Sequence, residues 1–258
     1  MIKDMNEHRK TNLFSGIKTI IWKEWKENVI QFGGFSNPGG LVPLIILLVG
    51  IGVFLPAQIG RTWIESPQSL IYWAWIPLFL VINMIADSFA GEKERNTLET
   101  LLATCLTEKS IILGKVFSSV SYVFIIKCLL LLSGLVTVNI IHANGEVVLY
   151  SLFDFISIIF IGFLLTILVA TVGAIFSLKA NSVKQAQQNL SIAVMLLLFV
   201  PIFGVSLIPD NLLNWLQELT ASISSAQIVV YICLLLIFLN IIALWISVKV
   251  FNRKRINI

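Results

Sequence analysis

The feature that most constrains this chain is a succession of apolar stretches, several approaching or exceeding the roughly 20 residues a helix needs to cross a bilayer. They recur along the 258 residues with short polar segments between them. Only 12% of the residues are charged, against about 25% in soluble domains, and mean hydropathy is +0.92. Lipid must therefore solvate most of the surface, and one all-α integral membrane domain is the economical fold class. The spacing predicts six transmembrane helices at about 41–60, 70–88, 112–141, 151–178, 189–208 and 226–250.

The flanking segments divide the chain further. Residues 1–40 form an N-terminal segment, 41–250 the six-helix domain and 251–258 a basic tail. Residues 1–12 are polar, so no cleavable leader is expected. In residues 13–32, Phe14, Ile17, Ile21, Trp25 and Val29 share one helical face, with Lys18, Lys23, Glu24, Lys26 and Glu27 on the other. That predicts an amphipathic helix in the membrane interface, ended by GGFSNPGG at 33–40. Residues 209–224 are too polar to span. They predict a short interfacial or re-entrant segment started by Pro209 and Asp210, or a loop folded on the protein surface.

Charge sets the expected orientation. Sixteen Lys and Arg residues fall in the terminal segments and alternate loops, Arg61 alone falls on the opposite side, and Lys127 lies inside a span. By the positive-inside rule both termini are cytoplasmic, in a multi-pass protein of the cell membrane. The net charge of +4 therefore reads as a topology signal, with nucleic acid excluded as a partner. Cys105, Cys128 and Cys233 are far apart and lack CxxC spacing, so neither a disulfide nor a metal site is expected. His8 and His142 are the only histidines, and no HExxH, GxSxG or GxxxxGK[ST] pattern occurs. The chain is expected to be no enzyme, with no bound cofactor.

The largest polar segment between spans is ADSFAGEKERNTLETLLATCLTEKSIILGKV, 86–116. Asn96 is a candidate N-cap, with Glu99 three residues on to complete a capping box. Leu98, Leu101, Leu102, Cys105 and Leu106 recur at helical spacing, predicting a short amphipathic cytoplasmic helix at about 94–107 that transmits force from a docked partner.

Glu92, Lys93, Glu94, Arg95, then Asn96-Thr97-Leu98-Glu99, Leu101-Leu102 and Gly114-Lys115 resemble the loop of type-2 ABC export permeases (ABC-2 family), in which charged residues precede GTLE, two leucines and a later GK. Asn96 stands in place of the usual Gly, and Cys105-Leu106 where a small residue and Pro often occur. The resemblance extends to the amphipathic helix, six spans, coupling helix and insertion before the last span. It implies a homo- or heterodimer of permeases that exports a substrate, with ATP and Mg2+ bound by separate nucleotide-binding ATPase subunits. Those subunits would dock on Glu92, Glu94, Arg95, Asn96, Thr97, Leu98, Glu99, Leu101, Leu102 and Leu106. A hydrophobic or amphipathic compound, lipid or peptide is slightly favoured as substrate.

Polar residues inside spans are the remaining candidates. Lys127 lies twelve residues beyond Lys115, roughly 18 Å of helix. A charge at the bilayer centre costs at least about 2.5–3.5 kcal/mol, so Lys127 is expected to face a pathway or to be paired, with Asp87 as a candidate partner. Asn83, Asn139 and Asn240 are candidates for interhelical hydrogen bonds, and Asn83 also for the pathway. Pro77, Pro201 and Gly204 mark expected kinks. Two rival readings stay open: a membrane scaffold or sensor binding a regulatory ATPase without transport, and a secondary transporter coupled to ions through Lys127 and Asp87.

Overall fold

The computed structural model describes residues 13–33, 38–66, 69–143, 145–206, 209 and 224–250. The described elements are helical, with no strand among them. We label them α1 (Leu13–Gly33), α2 (Pro38–Val49), a π-turn (Gly50–Phe54), α3 (Leu55–Ile59), α4 (Thr62–Glu65), α5 (Ser69–Glu94), α6 (Leu98–Ala103), α7 (Glu108–Ile141), α8 (Leu152–Lys179), α9 (Val183–Ser206) and α10 (Ser225–Val250). Among the described residues, three helices are long and apolar enough to cross a membrane: Glu108–Ile141, Leu152–Lys179 and Ala226–Val250. Residues 1–12, 251–258 and nearly all of the expected re-entrant segment at 209–224 lie outside the described residues.

α8 is the central helix, packed against α5, α7, α9 and α10, while α1 lies along α7. One core cluster joins Ile20 of α1, Ile85 and Phe89 of α5, Leu98 and Leu101 of α6, Ile111 and Val116 of α7, and Leu190 of α9. A second cluster fills the other end, where Trp63 and Trp73 meet edge-to-face at 5.6 Å and pack with Ile126, Leu130 and Val148. Small residues bring the helices together, the usual device where lipid gives helices no hydrophobic drive to associate. A Cβ on Gly173 would meet Ile85 and Leu190, and one on Gly52 would meet Ser133.

The break in the first apolar stretch was not foreseen. α2 passes through the π-turn into α3, and the Gly52 carbonyl accepts a 3.2 Å bond from Thr137 Oγ1 of α7. A π-turn shifts carbonyls off the regular ladder, and a neighbouring hydroxyl satisfies one of them. At the expected kink sites α5 runs through Pro77 and α9 through Pro201 and Gly204 as single helices, as a proline kink permits.

α7 begins at Glu108, with Thr107 as its cap accepting from the Ser110 N–H at 3.2 Å. Its 34 residues measure about 51 Å, well beyond the ~30 Å hydrocarbon core.

The packed face of α1 differs from the amphipathic face expected. Gly16 and Ile20 are buried against α7, Lys23 and Glu24 follow them into the interface, and Phe14 and Trp22 are exposed at 82% and 74%. The reason is close approach: a Cβ on Gly114 would sit 2.6 Å from Ile20, and one on Gly16 would sit 2.8 Å from Ser110 Oγ. Gly114→Val is expected to lower stability by about 1–3 kcal/mol through overpacking against Ile20. Gly204→Ala, which meets nothing within 4 Å, is expected to be neutral. Thermal melts of the detergent-solubilised chain compare them, and an unshifted Gly114→Val melt would refute the close-packed seam.

Candidate functional site

The charged loop is built on the end of α5. Asn96 takes the left-handed conformation at φ 55°. The Asn96 N–H bonds the Lys93 carbonyl at 3.0 Å, and the Thr97 N–H bonds the Glu92 carbonyl at 2.9 Å. Together these form a Schellman termination of α5 with Asn96 at the position glycine usually occupies. Asn96 is therefore the end of one helix and not the N-cap of the next. α6 starts at Leu98 with Thr97 as its cap, and no side chain completes the expected capping box. The sequence favoured an N-cap because Asn serves both roles; the bonds of the preceding helix decide it.

α6 is shorter than expected, Leu98–Ala103. Leu98 and Leu101 are plugged into the core with Ile111 and Phe89, and Leu102 and Leu106 pack at its margin. These leucines thus face the chain's own helices. The surface α6 presents outward is Glu99, Thr100 and Ala103, continued by Thr104 and Cys105 and flanked by Glu94, Arg95, Asn96 and Thr97.

Beneath this loop lies an ion cluster. Lys115, only 1% exposed, donates to Glu24 Oε1 of α1 at 2.7 Å, Glu92 Oε1 of α5 at 3.1 Å and the Ser88 carbonyl at 2.5 Å. Its ammonium also lies 5.1 Å from the Phe89 ring centre. Lys23 donates to Glu92 Oε1 at 2.8 Å and stands 3.6 Å from Glu27. Burial pulls the Lys23 ammonium down, but the bond and charge of Glu92, with Glu24 and Glu27, outweigh it and hold it above 10.5. Its ionic contribution is thus intact at neutral pH and is lost only as pH rises through that raised value. Trp25 Nε1 donates to Ser121 Oγ at 2.9 Å, completing the seam between α1 and α7.

Other contacts tie the same end to α8 and α9. Ser177 Oγ accepts from the N–H groups of Phe89 and Ala90 at 3.1 and 2.9 Å and donates to the Ala86 carbonyl at 2.7 Å. Lys93 donates to the Leu178 carbonyl and, at 3.1 Å, to that of Ala180, and burial lowers its pKa. Glu94 accepts the Val183 N–H at 2.8 Å, placing an anion at the start of α9.

The expected Lys127–Asp87 pair does not form. Asp87 meets Arg95 at 3.1 Å, and Lys127 donates to the Ile158 carbonyl at 2.6 Å with its ammonium against Gly162. No carboxylate lies within 4.0 Å of Lys127 among the described residues. A backbone carbonyl on α8 and a missing side chain at 162 provide the site, and neither carries a signal in sequence. Asn240 bonds the Leu164 carbonyl at 3.0 Å across helices, whereas Asn139 ties its own helix to Val148 of the following loop. Asn83 lines a polar cleft of about 620 Å³ between α5 and α9 with Lys184, Gln187, Gln188, Asn189 and Ser191. Glu24, Ser88 and Ser177 were missed by sequence reasoning; the only hint was a Gly114-Lys115 pair opening an apolar run.

Removing one partner of a buried ion pair costs about 3–5 kcal/mol, because the other charge is left unpaired. Lys115→Met is therefore expected to destabilise by that order, and adding Glu92→Gln to recover part of the loss. Denaturation of Lys115→Met, Glu92→Gln and the double variant measures it, and an additive double variant would show that the charges do not couple. At the loop, Asn96→Gly is expected to be neutral and Asn96→Ile to cost about 1–2 kcal/mol in the left-handed conformation, read in the same assay.

Comparison with curated proteins finds no match. The family model described as ABC-2 family transporter protein matches residues 41–235, which include the charged loop, the ion-cluster residues Glu92 and Lys115, and the whole of α5 through α9. The chain is thus a transmembrane member of the ABC-2 transporter family.

Proposed function

We propose that this chain is the permease subunit of an ATP-driven exporter, crossing the cell membrane six times with both termini in the cytoplasm. Two ATPase subunits carrying ATP and Mg2+ dock on the α6 loops of a permease dimer, homo- or heteromeric. They drive out a substrate of hydrophobic or amphipathic character. The observation that carries this reading is the mounting of α6. Leu98 and Leu101 fix it in a core shared by α1, α5, α7 and α9, and the Lys115 cluster lies beneath it. A push on α6 is thereby delivered to several helices at once.

The docking face is revised accordingly. Glu99, Thr100, Ala103 and Thr104 meet the ATPase, while Leu98, Leu101, Leu102 and Leu106 anchor the loop from below and Glu92 serves the ion cluster. The polar cleft at Asn83 and Gln187 supports the dimer, because side-chain amides are disfavoured against lipid and call for a second permease or an aqueous path. Ion coupling through Lys127 and Asp87 has no geometric support, since Asp87 is engaged by Arg95.

Affinity purification of the tagged chain in mild detergent is expected to recover a Walker-motif ATPase at about one copy per permease. The variant Glu99→Arg with Thr100→Arg is expected to lose most of it, with a melting curve within about 0.5 kcal/mol of the parent, as for surface changes. Leu101→Asp is expected to unfold the loop region instead, since it buries a charge. Full retention of the ATPase by the double arginine variant would sink the docking face, and recovery of no ATPase with the folded parent would overturn the exporter reading.

A further inference from the structure

On the side of α9 away from the polar cleft, α8, α9 and α10 enclose a groove of about 290 Å³ with an apolar lining that includes Val172, Ile175, Ala193, Leu197, Ile242 and Ile246. The groove has a direction. On α8 its lining residues Leu168, Val172 and Ile175 lie on one helical face, and the next residue of that face is Lys179. On α10, Leu239, Ile242 and Ile246 are continued in the same way by Lys249. Both lysines are exposed, and neither forms an ion pair with a carboxylate among the described residues. Lys249 lies over the Trp245 ring at 4.7 Å.

The distance from the inner end of the groove to the two lysines identifies its occupant. Leu168 to Lys179 is eleven residues and Leu239 to Lys249 ten, about 16 and 15 Å of helix. That is half of a ~30 Å hydrocarbon core, the depth of one leaflet. The apolar lining covers seven residues of each helix, about 10 Å, and the two lysines follow about one turn beyond it. A slot and cations that together span one leaflet match a single phospholipid, its acyl chain inside and an anionic headgroup outside. A basic mouth between helices on the cytoplasmic side is a setting in which anionic headgroups bind.

We infer that the α8–α9–α10 groove is a binding site for one anionic phospholipid of the inner leaflet, held by its acyl chain in the groove and by its headgroup phosphate on Lys179 and Lys249. The site needs the membrane location and orientation proposed above but neither the ATPase nor transport. Its failure and that of the exporter reading are therefore separable.

Native mass spectrometry of the full chain in mild detergent, titrated with phosphatidylglycerol or phosphatidylcholine of identical acyl chains, tests it. One phosphatidylglycerol is expected to bind with a preference of roughly tenfold or more, the order two lysines supply. Lys179→Glu with Lys249→Glu, both at exposed positions, is expected to abolish the preference while leaving the melting curve in place. Ala193→Phe, which fills the groove, is expected to abolish the bound lipid. Glycerol phosphate, with the headgroup charge and no chain, is expected not to compete at matched concentration. Equal binding of the two lipids, or an undiminished preference in the lysine variant, would overturn the site. So would competition by glycerol phosphate, or cross-linking in membranes between two copies carrying Ile242→Cys, which would show the groove covered by a second chain.

Discussion

One buried ammonium, Lys115, determines how the charged end of this molecule is assembled. It is 1% exposed and takes carboxylates from two other helices, Glu24 of α1 and Glu92 of α5, with the Ser88 carbonyl as third acceptor. A buried ion pair contributes little net stability over an apolar substitute, yet leaving one charge alone is severely penalised. The cluster therefore acts chiefly by excluding alternatives. Glu24 reaches Lys115 only when Ile20, one turn earlier, lies over Gly114, so glycine and lysine together fix the register of α1 on α7.

The rest of the packing follows from that end outward. Ser177, Lys93 and Glu94 extend the polar contacts to α8 and α9: Lys93 and Glu94 use backbone groups that the helix termini leave available, and Ser177 bonds the backbone of α5 within that helix. The opposite end is held differently. Arg61 donates to the carbonyls of His142 and Ala143, and His142 Nε2 bonds the Ala57 carbonyl, with Glu146 at 3.5 Å as a weak outer ion pair. Between the two ends the helices meet through small residues, as at Gly52 with Ser133 and Gly173 with Ile85.

What sequence revealed and what it hid divide along physical lines. Apolar length and period located the long helices, and charge drew attention to 86–116, because both are properties of the chain itself. Asn96 reads in sequence as a candidate N-cap in place of the usual Gly, and the structure uses it in glycine's left-handed role, at the close of α5 rather than the opening of α6. The face by which α1 packs on α7 is not legible in the sequence, because a period counts apolar residues. Gly16 carries no hydrophobic weight, and Lys23 and Glu24 look like solvent residues until Lys115 and Glu92 are brought beside them. Leu101 was assigned outward for the same reason: a stripe of leucines reports one apolar face and not what that face meets. Ile158 as the acceptor for Lys127 was beyond reach, since any backbone carbonyl has the same chemistry.

α9 separates two surfaces of opposite character. Leu190, Ala193, Val194 and Leu197 turn toward α8 and α10 and line the apolar groove, while Lys184, Gln187, Gln188 and Ser191 border the polar cleft toward α5. In water such a helix would simply bury one face. Against lipid the requirement inverts: the apolar side can meet acyl chains directly, and the amide side is the one that must be covered. The first turns of α9 are thus the place where a membrane protein of this architecture has most to gain from protein or water beside it. The anchoring of the start of α9 by Glu94, at the Val183 N–H, ties that surface to the same loop that carries α6. On the proposed reading, a push on the docking loop is passed to the start of α9 through that one carboxylate at the end of α5.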